Sequence, residues 1–239
     1  EGLRSNGTEL TTPAEAHLHL MPFVKRVTVV SGTGGRRVSQ TVDGPAPDAA
    51  HAVTARPIDL PVTAFKLENA RLTKTAGGLE LLADENAPAP GRAIAAVHAA
   101  KGLVTFKVGV APCGEKFTYP NFAVVVGNSQ SGRRITAFFD PNTSAAAIVQ
   151  GTPSSRDLKR DEKSSGVYFP KGKRTITVTV DIPAKTIHYL VGDWRMSAPF
   201  AAAFELDSIN MVGLESYRTG ATFSNFRFGS LAGEGKGGQ

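Results

Sequence analysis

The chain has 239 residues, of which 41% are hydrophobic and 20% are charged, and it carries one cysteine and a formal net charge of +6. These values are typical of a folded protein with a sizeable core and exclude a wholly disordered chain. The longest apolar runs have only the length of a strand, well short of the ~20 residues of a membrane-spanning helix. Because Cys113 is the one cysteine, a disulfide within the chain is excluded.

The basic residues are dispersed along the chain as pairs, such as Arg36-Arg37 and Arg133-Arg134, and none forms a run of five or more. No nucleic-acid-binding motif accompanies them. The pattern therefore favours a mildly basic, solvated surface over a functional basic patch, and it predicts no nucleic-acid partner.

The first fifty residues are polar and mixed in composition. Within them, two short apolar segments at 27–30 and 38–42 flank the glycine-rich residues 31–35, which lack the Lys-Ser/Thr pair of a phosphate-binding loop. A hairpin turn is the better interpretation. Residues 43–57 are rich in Pro, Ala and Asp, as expected of a linker or surface excursion. We predict an N-terminal extension with a short hairpin over residues 1–50.

The rest of the chain, from residue 51 to 230, alternates short apolar segments with Gly, Pro and polar turn residues. Nowhere do apolar residues recur at helical spacing for three turns, which leaves strands as the regular element. The predicted strands cover residues 62–67, 70–73, 79–82, 94–98, 103–110, 122–126, 135–139, 145–149, 174–182, 186–191, 194–196, 208–214 and 221–228. An Ala triplet leaves a helical turn open for 145–149. Residues 150–166 are predicted to be an exposed loop, and 231–239 a flexible tail.

The most regular pattern is a β-hairpin near residue 180. Ile176, Val178, Val180 and Ile182 alternate with polar residues, as a half-buried strand requires. Residues 183–185 break this run, and a second alternating segment follows at 186–191. These segments and the many turns together predict an all-β fold, a two-sheet antiparallel β-sandwich (jelly roll).

Residues 60–230 resemble the concanavalin A-like lectin/glucanase superfamily in its laminin-G-like form. The resemblance rests on the strand pairs 106–110 with 122–128, 175–181 with 185–190, and 209–214 with 221–228. It implies the concanavalin A-like/laminin-G sandwich, a fold that hosts lectins, hydrolases, lyases and adhesion modules.

The first functional hypothesis is a carbohydrate-binding module of an exported bacterial protein, secreted or periplasmic. A hydrolase or polysaccharide lyase working on the concave sheet, and a protein-binding adhesion or assembly domain, are the alternatives. Hydrolases of this superfamily carry acidic residues at alternate positions on one strand. Glu205-Leu206-Asp207 and Asp84-Glu85 do not complete that pattern, and the characteristic strings of the lyases are absent.

Six polar or aromatic residues are candidates for binding a sugar, because aromatic faces stack on sugar rings while Arg and amide groups bind hydroxyls. Trp194 is the one tryptophan, although a core position would explain it as well. Arg134 could instead be an ordinary hairpin edge, and His188 an ordinary sheet histidine. The candidates are Tyr119, Asn128, Arg134, His188, Trp194 and Arg195.

We predict no metal site and no cofactor, with calcium as the open alternative. His17 and His19 would share one face of a strand, but no third ligand can be named for them. Asp140 and Asn142 could contribute oxygen ligands to calcium, yet an Asp-Pro-Asn turn explains them better. The sequence does not indicate the oligomeric state.

Overall fold

The computed structural model consists of two compact units, Glu1–Ala49 and Ala50–Gln239. In the first unit it describes the backbone of four strands. In the second unit, it describes only the backbone at residues 112–113, 121, 140 and 162–164. The residues described there are 53–84, 86–113, 121–140, 145–155, 158–164, 173–192, 194–217 and 220–231.

The first unit contains a four-stranded sheet. Its strands are β1 (Gly2–Ser5), β2 (Thr8–Thr11), β3 (Arg26–Ser31) and β4 (Val38–Asp43). Every pair is antiparallel, and the spatial order is β2-β1-β3-β4. The central position of β1 and β3 means that each has both edges hydrogen-bonded.

The second unit is built from strands, with one 3₁₀ turn, Val62–Ala64, among its described residues. Its strands are β5 (Arg56–Pro57), β6 (Phe65–Glu68), β7 (Ala70–Thr75), β8 (Gly78–Ala83), β9 (Gly91–Ala100), β10 (Leu103–Cys113), β11 (Asn121–Gly127), β12 (Arg134–Asp140), β13 (Ala145–Gly151), β14 (Lys159–Ser164), β15 (Arg174–Asp181), β16 (Thr186–Val191), β17 (Trp194–Pro199), β18 (Ile209–Tyr217) and β19 (Gly220–Leu231). Among the described residues, no helix is long and apolar enough to cross a membrane.

These strands form two antiparallel sheets. The eight-stranded sheet has the order β17-β16-β15-β10-β19-β8-β7, with β5 added to β19. The seven-stranded sheet has the order β14-β13-β12-β11-β18-β9-β6. Neighbouring strands such as β11 and β18 are far apart in sequence, so each sheet is assembled by long-range strand pairing as well as by hairpins.

The core lies between the two sheets. Alternate residues of the central strands point inward, including Val104, Phe106 and Val108 of the eight-stranded sheet and Val124 and Val126 of the seven-stranded sheet, all at most 1% exposed. Because successive side chains leave opposite faces of a strand, this burial leaves every second residue on an outer face. The prediction of an all-β, two-sheet sandwich is confirmed.

The predicted hairpin near residue 180 is confirmed by the pairing of β15 with β16. Asp181 closes the turn, since its carboxylate accepts a hydrogen bond from the Ala184 amide at 2.9 Å. Lys185 takes a positive φ of 52° there. Ile187 and Tyr189 are fully buried, and His188 points to the opposite face, as their alternation predicts.

The loop predicted for residues 150–166 is wrong in its second half, where the structure has strand β14. Its residues are charged and show no apolar alternation, but they hydrogen-bond to β13 in regular antiparallel register. An edge strand tolerates charged side chains, because they discourage pairing with another chain and only one edge needs a partner. Strand β14 is important below because it carries Arg160.

Tyr189 gives the first testable prediction. Its side chain is 0% exposed, and its hydroxyl has no hydrogen-bond partner among the described residues. An unpaired buried hydroxyl costs about 1–3 kcal/mol of desolvation. We therefore expect Tyr189→Phe to raise the free energy of unfolding at pH 7 by about 1 kcal/mol, measured by urea denaturation. A loss of stability would mean that the hydroxyl is bonded.

The same residue predicts a pH dependence. Burial raises the pKa of the Tyr189 phenol well above its ordinary value, whereas in the unfolded chain the phenol ionises near pH ~10. Above that pH the unfolded state loses a proton that the folded state keeps, so the free energy of unfolding falls by up to about 1.4 kcal/mol per pH unit. We expect this contribution to be missing in Tyr189→Phe. Equal slopes for the two proteins between pH ~9 and ~11 would contradict the assignment.

Candidate functional site

A cavity of about 340 Å³ opens on the outer face of the seven-stranded sheet. It is surrounded by six strands, β9, β11, β12, β13, β14 and β18, and by the segment before β9. Its lining residues are Pro88, Pro90, Arg92, Phe122, Ala123, Arg134, Thr136, Phe138, Val149, Arg160, Glu215, Ser216 and Tyr217. The volume lies within the range of about 300–1,000 Å³ typical of small-ligand sites.

Strand β12 contributes three outward residues to this cavity. Ile135, Ala137 and Phe139 are fully buried, so the residues that alternate with them face outward and are partly exposed. These are Arg134, Thr136 and Phe138. A guanidinium, a hydroxyl and an aromatic ring therefore follow one another at spacings of roughly 7 Å along one strand.

One row across the sheet explains the shape of the cavity. In register, Phe138 of β12 lies opposite Ala123 of β11, which lies opposite Glu215 of β18 and then Arg92 of β9. Ala123 is the small residue in this row, between an aromatic ring and an ion pair. Because neighbouring strands are only about 4.8 Å apart, a methyl group between longer side chains leaves a depression.

Arg92 is held by two carboxylates. Its Nε donates to Glu215 Oε1 at 2.5 Å, and its Nη1 donates to Glu68 Oε2 at 3.2 Å. The side chains of Arg92 and Glu215 are 13% and 8% exposed, so this pair lies mostly out of water. Charge-assisted bonds of this kind orient a guanidinium, and its five N–H groups leave donors beyond these two.

Arg160 lies on the opposite side of the cavity. Its guanidinium carbon is 5.6 Å from the centre of the Phe138 ring, within cation–π range. Strand β14 brings it there by pairing Arg160 with Val149, which pairs in turn with Thr136. The guanidinium of Arg160 therefore lies over the same aromatic ring that lines the cavity.

The sequence matches no family model and no curated protein. Among solved structures, the carbohydrate-binding module CBM66 from Bacillus subtilis aligns with a TM-score of 0.54 at 10% identity, over 70% of this chain and 96% of the module. This likeness concerns the fold. The fold is a jelly-roll sandwich.

Lectins with lower scores also align with the jelly-roll sandwich. Chicken galectin 2 has a TM-score of 0.42 at 13% identity, over 56% of this chain and 99% of the galectin. CG-16, a homodimeric agglutinin from chicken liver, has a TM-score of 0.42 at 15% identity, over 57% of this chain and 98% of the agglutinin.

Arg134 is one of the six predicted sugar-binding residues, and the structure places it in the lining of the cavity. It lies opposite Gly127 of β11 and Gly151 of β13. Neither neighbour has a side chain of its own, and the Met211 side chain packs over Gly127, where an added Cβ would lie 2.6 Å from Met211 Cε. Tyr119 falls outside the described residues.

Asn128 lies at the end of β11, where its side chain organises the turn to β12. Its amide nitrogen donates to Ser208 Oγ at 2.9 Å, and its carbonyl oxygen accepts from the backbone amides of Gln130 and Ser131, both at 2.9 Å. The side chain is 4% exposed. Its hydrogen-bonding groups are thus directed to protein atoms, and it does not line the cavity.

His188, Trp194 and Arg195 lie on the eight-stranded sheet and not at the cavity. His188 is on the outer face, with its Nδ1 2.8 Å from Ser197 Oγ, and Arg195 is partly exposed on the same face. Trp194 is 5% exposed, and its ring packs edge-on against Tyr189 in the core at 6.1 Å. Its indole is therefore packed inside the sandwich.

The carboxylates singled out by the sequence, Glu205 and Asp207, line a second cavity of about 340 Å³. Arg133 and Lys185 line it as well. Asp207 Oδ1 accepts a hydrogen bond from Ser208 Oγ at 3.2 Å. Both carboxylates are thus placed beside cations at the loop end of the sandwich, and neither belongs to the cavity on the seven-stranded sheet.

No group of three or more His, Cys, Asp or Glu side chains suited to a metal ion occurs in the described part of the chain. The residues considered for metal, His17, His19, Asn142 and the side chain of Asp140, lie outside the described set.

Sequence reasoning missed most of the residues that line the cavity. Arg92 and Glu215 lie beyond the predicted ends of their strands, at 94–98 and 208–214, and Arg160 lies in the segment predicted to be a loop. Extending each alternation by two residues would have placed Arg92 and Glu215 on outward positions. No signal in the sequence pairs these two residues, which are 123 positions apart.

Proposed function

We propose that this chain is a carbohydrate-binding, lectin-like module and that the cavity on the seven-stranded sheet is its glycan site. The proposal rests on one observation. Oriented guanidinium groups and the aromatic rings of Phe138 and Tyr217 line the same open cavity. A sugar presents C–H faces that pack on aromatic rings and hydroxyl pairs that match guanidinium donors.

The ion pair of Arg92 and Glu215 supplies both kinds of hydrogen-bonding group. Arg92 retains donors after bonding Glu215 and Glu68, and Glu215 retains acceptor sites on its two oxygens. Adjacent sugar hydroxyls each act as donor and acceptor, so a mostly buried, oriented Arg–Glu pair is suited to bind two of them together.

The number of carboxylates in the cavity lining favours binding over hydrolysis as the function. Two-carboxylate glycosidases place their acid and their base or nucleophile about 5–10 Å apart on either side of the scissile bond. Among the described lining residues Glu215 is the one carboxylate, and it is bonded to Arg92. The likeness of fold to CBM66, a carbohydrate-binding module, agrees with this proposal. The proposal includes the laminin-G-like type of sandwich.

A glycan array probed with the purified chain tests the proposed function. We expect specific binding of a subset of glycans, and chemical-shift changes on titrating a bound glycan should map to β9, β11, β12 and β18. Binding without product formation supports a module. Release of shorter glycans would establish an enzyme instead, and an array without binding at millimolar glycan would contradict the proposal.

We place the protein in the bacterial periplasm or outside the cell as part of the same proposal. Polysaccharide ligands are encountered there, and a domain without disulfides is common in bacterial exported proteins. Fractionation of source cells followed by detection with an antibody checks this location, and recovery in the cytosolic fraction alone would contradict it.

A further inference from the structure

The second cavity, of about 340 Å³, lies between three loops at one end of the sandwich and is called the loop-end cavity below. The turn from β11 to β12 contributes Arg133, and the turn from β15 to β16 contributes Lys185. The connection from β17 to β18 contributes Phe200, Glu205 and Asp207. No described residue lines both this cavity and the one on the seven-stranded sheet. A ligand bound here is therefore independent of the proposed glycan site.

Hydrogen bonds hold the walls of the loop-end cavity in place. Asn128, which is 4% exposed, donates to Ser208 Oγ at 2.9 Å and accepts from the backbone amide of Ser131 at 2.9 Å. It thereby joins the β11–β12 turn to the β17–β18 connection. The Phe200 amide donates to the Lys185 carbonyl oxygen at 2.8 Å, which joins the same connection to the β15–β16 turn. Walls that are already fixed lose little conformational freedom when a ligand binds.

The four charged side chains that line the loop-end cavity are divided between its walls. Glu205 and Asp207 come from one segment, in which Leu206 between them is buried while both of these acidic residues are exposed. Arg133 and Lys185 come from the two turns. In the part of the chain that the structure describes, none of the four forms an ion pair. Two positive and two negative groups therefore line the same space without neutralising one another directly.

The Phe200 ring gives the loop-end cavity an apolar wall. It is half-buried and packs edge-on against the ring of Phe204, with 5.2 Å between the ring centroids, and Phe204 is 1% exposed. Because this buried partner fixes its orientation, Phe200 presents a defined apolar surface in a cavity lined mostly by polar and charged side chains. A ligand that matches all of these groups carries a positive charge, a negative charge and an apolar part.

We infer that the loop-end cavity binds a small zwitterion, namely an α-amino acid with an apolar side chain. Its carboxylate pairs with Arg133 and Lys185, and its ammonium group pairs with Glu205 and Asp207. Its side chain packs on Phe200. A zwitterion supplies a counter-charge to both kinds of group, whereas a simple anion also meets two carboxylates and a simple cation also meets two cations. A neutral sugar removes water from all four charged groups without replacing it by ion pairs.

Titration with L-leucine, L-methionine and L-phenylalanine tests the inference, with NMR chemical shifts and isothermal titration calorimetry as the measurements. We expect at least one of them to bind with a Kd of about 1 mM or below, and the shifts to map to the three loops. The N-acetyl derivative lacks the positive charge and the carboxamide lacks the negative charge, so each should bind at least about 10-fold more weakly than the free amino acid. Absence of binding by all three amino acids, or equal affinities of the free and blocked forms, would overturn the inference.

Two variants test the assignment of the charges. Arg133→Gln and Glu205→Gln each remove one charge, and each should weaken binding of the free amino acid at least about 10-fold. Arg133→Gln should change binding of the carboxamide less than about 2-fold, because that derivative has no carboxylate to lose contact, and Glu205→Gln should do the same for the N-acetyl derivative. Equal losses for free and blocked forms would indicate a structural role and contradict the inference. Arg227→Gln, an exposed arginine on β19, is the matched control and should leave the affinity unchanged.

Glycan binding separates this inference from the proposed function. Both variants should bind the best array glycan as the parent does, and Thr136→Trp, a change in the cavity on the seven-stranded sheet, should still bind the amino acid. Competition between glycan and amino acid would place both ligands in one cavity and overturn the inference. Absence of glycan binding would remove the proposed function, while amino-acid binding that depends on Arg133 and Glu205 would still support the inference.

Discussion

Replacement of Thr136 by tryptophan is expected to lower glycan affinity at least about 100-fold while the fold is retained. Thr136 lies in the middle of β12, partly exposed, and lines the cavity between Val125 and Val149. An indole at this outward position would occupy much of the 340 Å³ that the ligand needs. Tryptophan and threonine are both favourable in strands, so the backbone should accept the change. Isothermal titration with the best array ligand measures the loss.

Thr177→Trp is the matched control for this variant. Thr177 is also an outward, partly exposed threonine in a central strand, but it lies on the eight-stranded sheet, opposite Lys107 and Leu190. We expect this variant to bind glycan as the parent does and to unfold at a similar temperature. If Thr136→Trp bound normally, or if Thr177→Trp alone abolished binding, the site would have to be moved to another face.

Replacement of Gly78 by alanine is expected to lower the free energy of unfolding by about 3 kcal/mol or more. Gly78 begins β8 with φ of 137°, a region that residues with a side chain rarely adopt. A Cβ there would lie 2.2 Å from the carbonyl oxygen of Phe223 in β19. Since the nearest obstacle, the Phe223 carbonyl oxygen, is backbone, relief would require moving β8 away from β19. Thermal unfolding should show a decrease in Tm of roughly 6–12 °C.

Its neighbour Gly77 provides a control of the same chemistry. Gly77 has no positive φ, and a Cβ there would meet Thr222 Cγ2 at 3.5 Å, an ordinary van der Waals contact. Gly77→Ala should leave the free energy of unfolding within about 1 kcal/mol of the parent value or raise it slightly, because alanine restricts the unfolded chain. Similar losses for the two variants would contradict the assigned backbone geometry of this turn.

Local alternation was sufficient to predict the strands and the direction of many side chains. The pattern around Ile187, His188 and Tyr189 predicted correctly which residues are buried and which face outward. Strand ends were less predictable, because residues at the end of a strand need no apolar partner. Arg92 lies near the start of β9, and Glu215 lies near the end of β18. Strand β14 escaped prediction because an edge strand is held by backbone hydrogen bonds, which leave no hydrophobic pattern.

Trp194 illustrates a second limit on predicting side-chain directions from the sequence. It follows a turn, where the phase of alternation restarts, so the sequence does not indicate which face its indole takes. In the structure the pairing of Val191 with Trp194 sets the phase, and the ring enters the core beside Tyr189. The direction of a side chain on a new strand depends on the register with its partner rather than on its own residue type.

By itself the sequence determined the all-β class and the positions of most strands, because a period of two and turn residues are local properties. Only the tertiary structure decided which outward residues share a cavity. That choice depends on the strand order β14-β13-β12-β11-β18-β9, which unites Arg160, Glu215 and Arg92 from distant segments. Outward polar positions look alike on both sheets, and the pairing of remote strands depends on packing across the whole core.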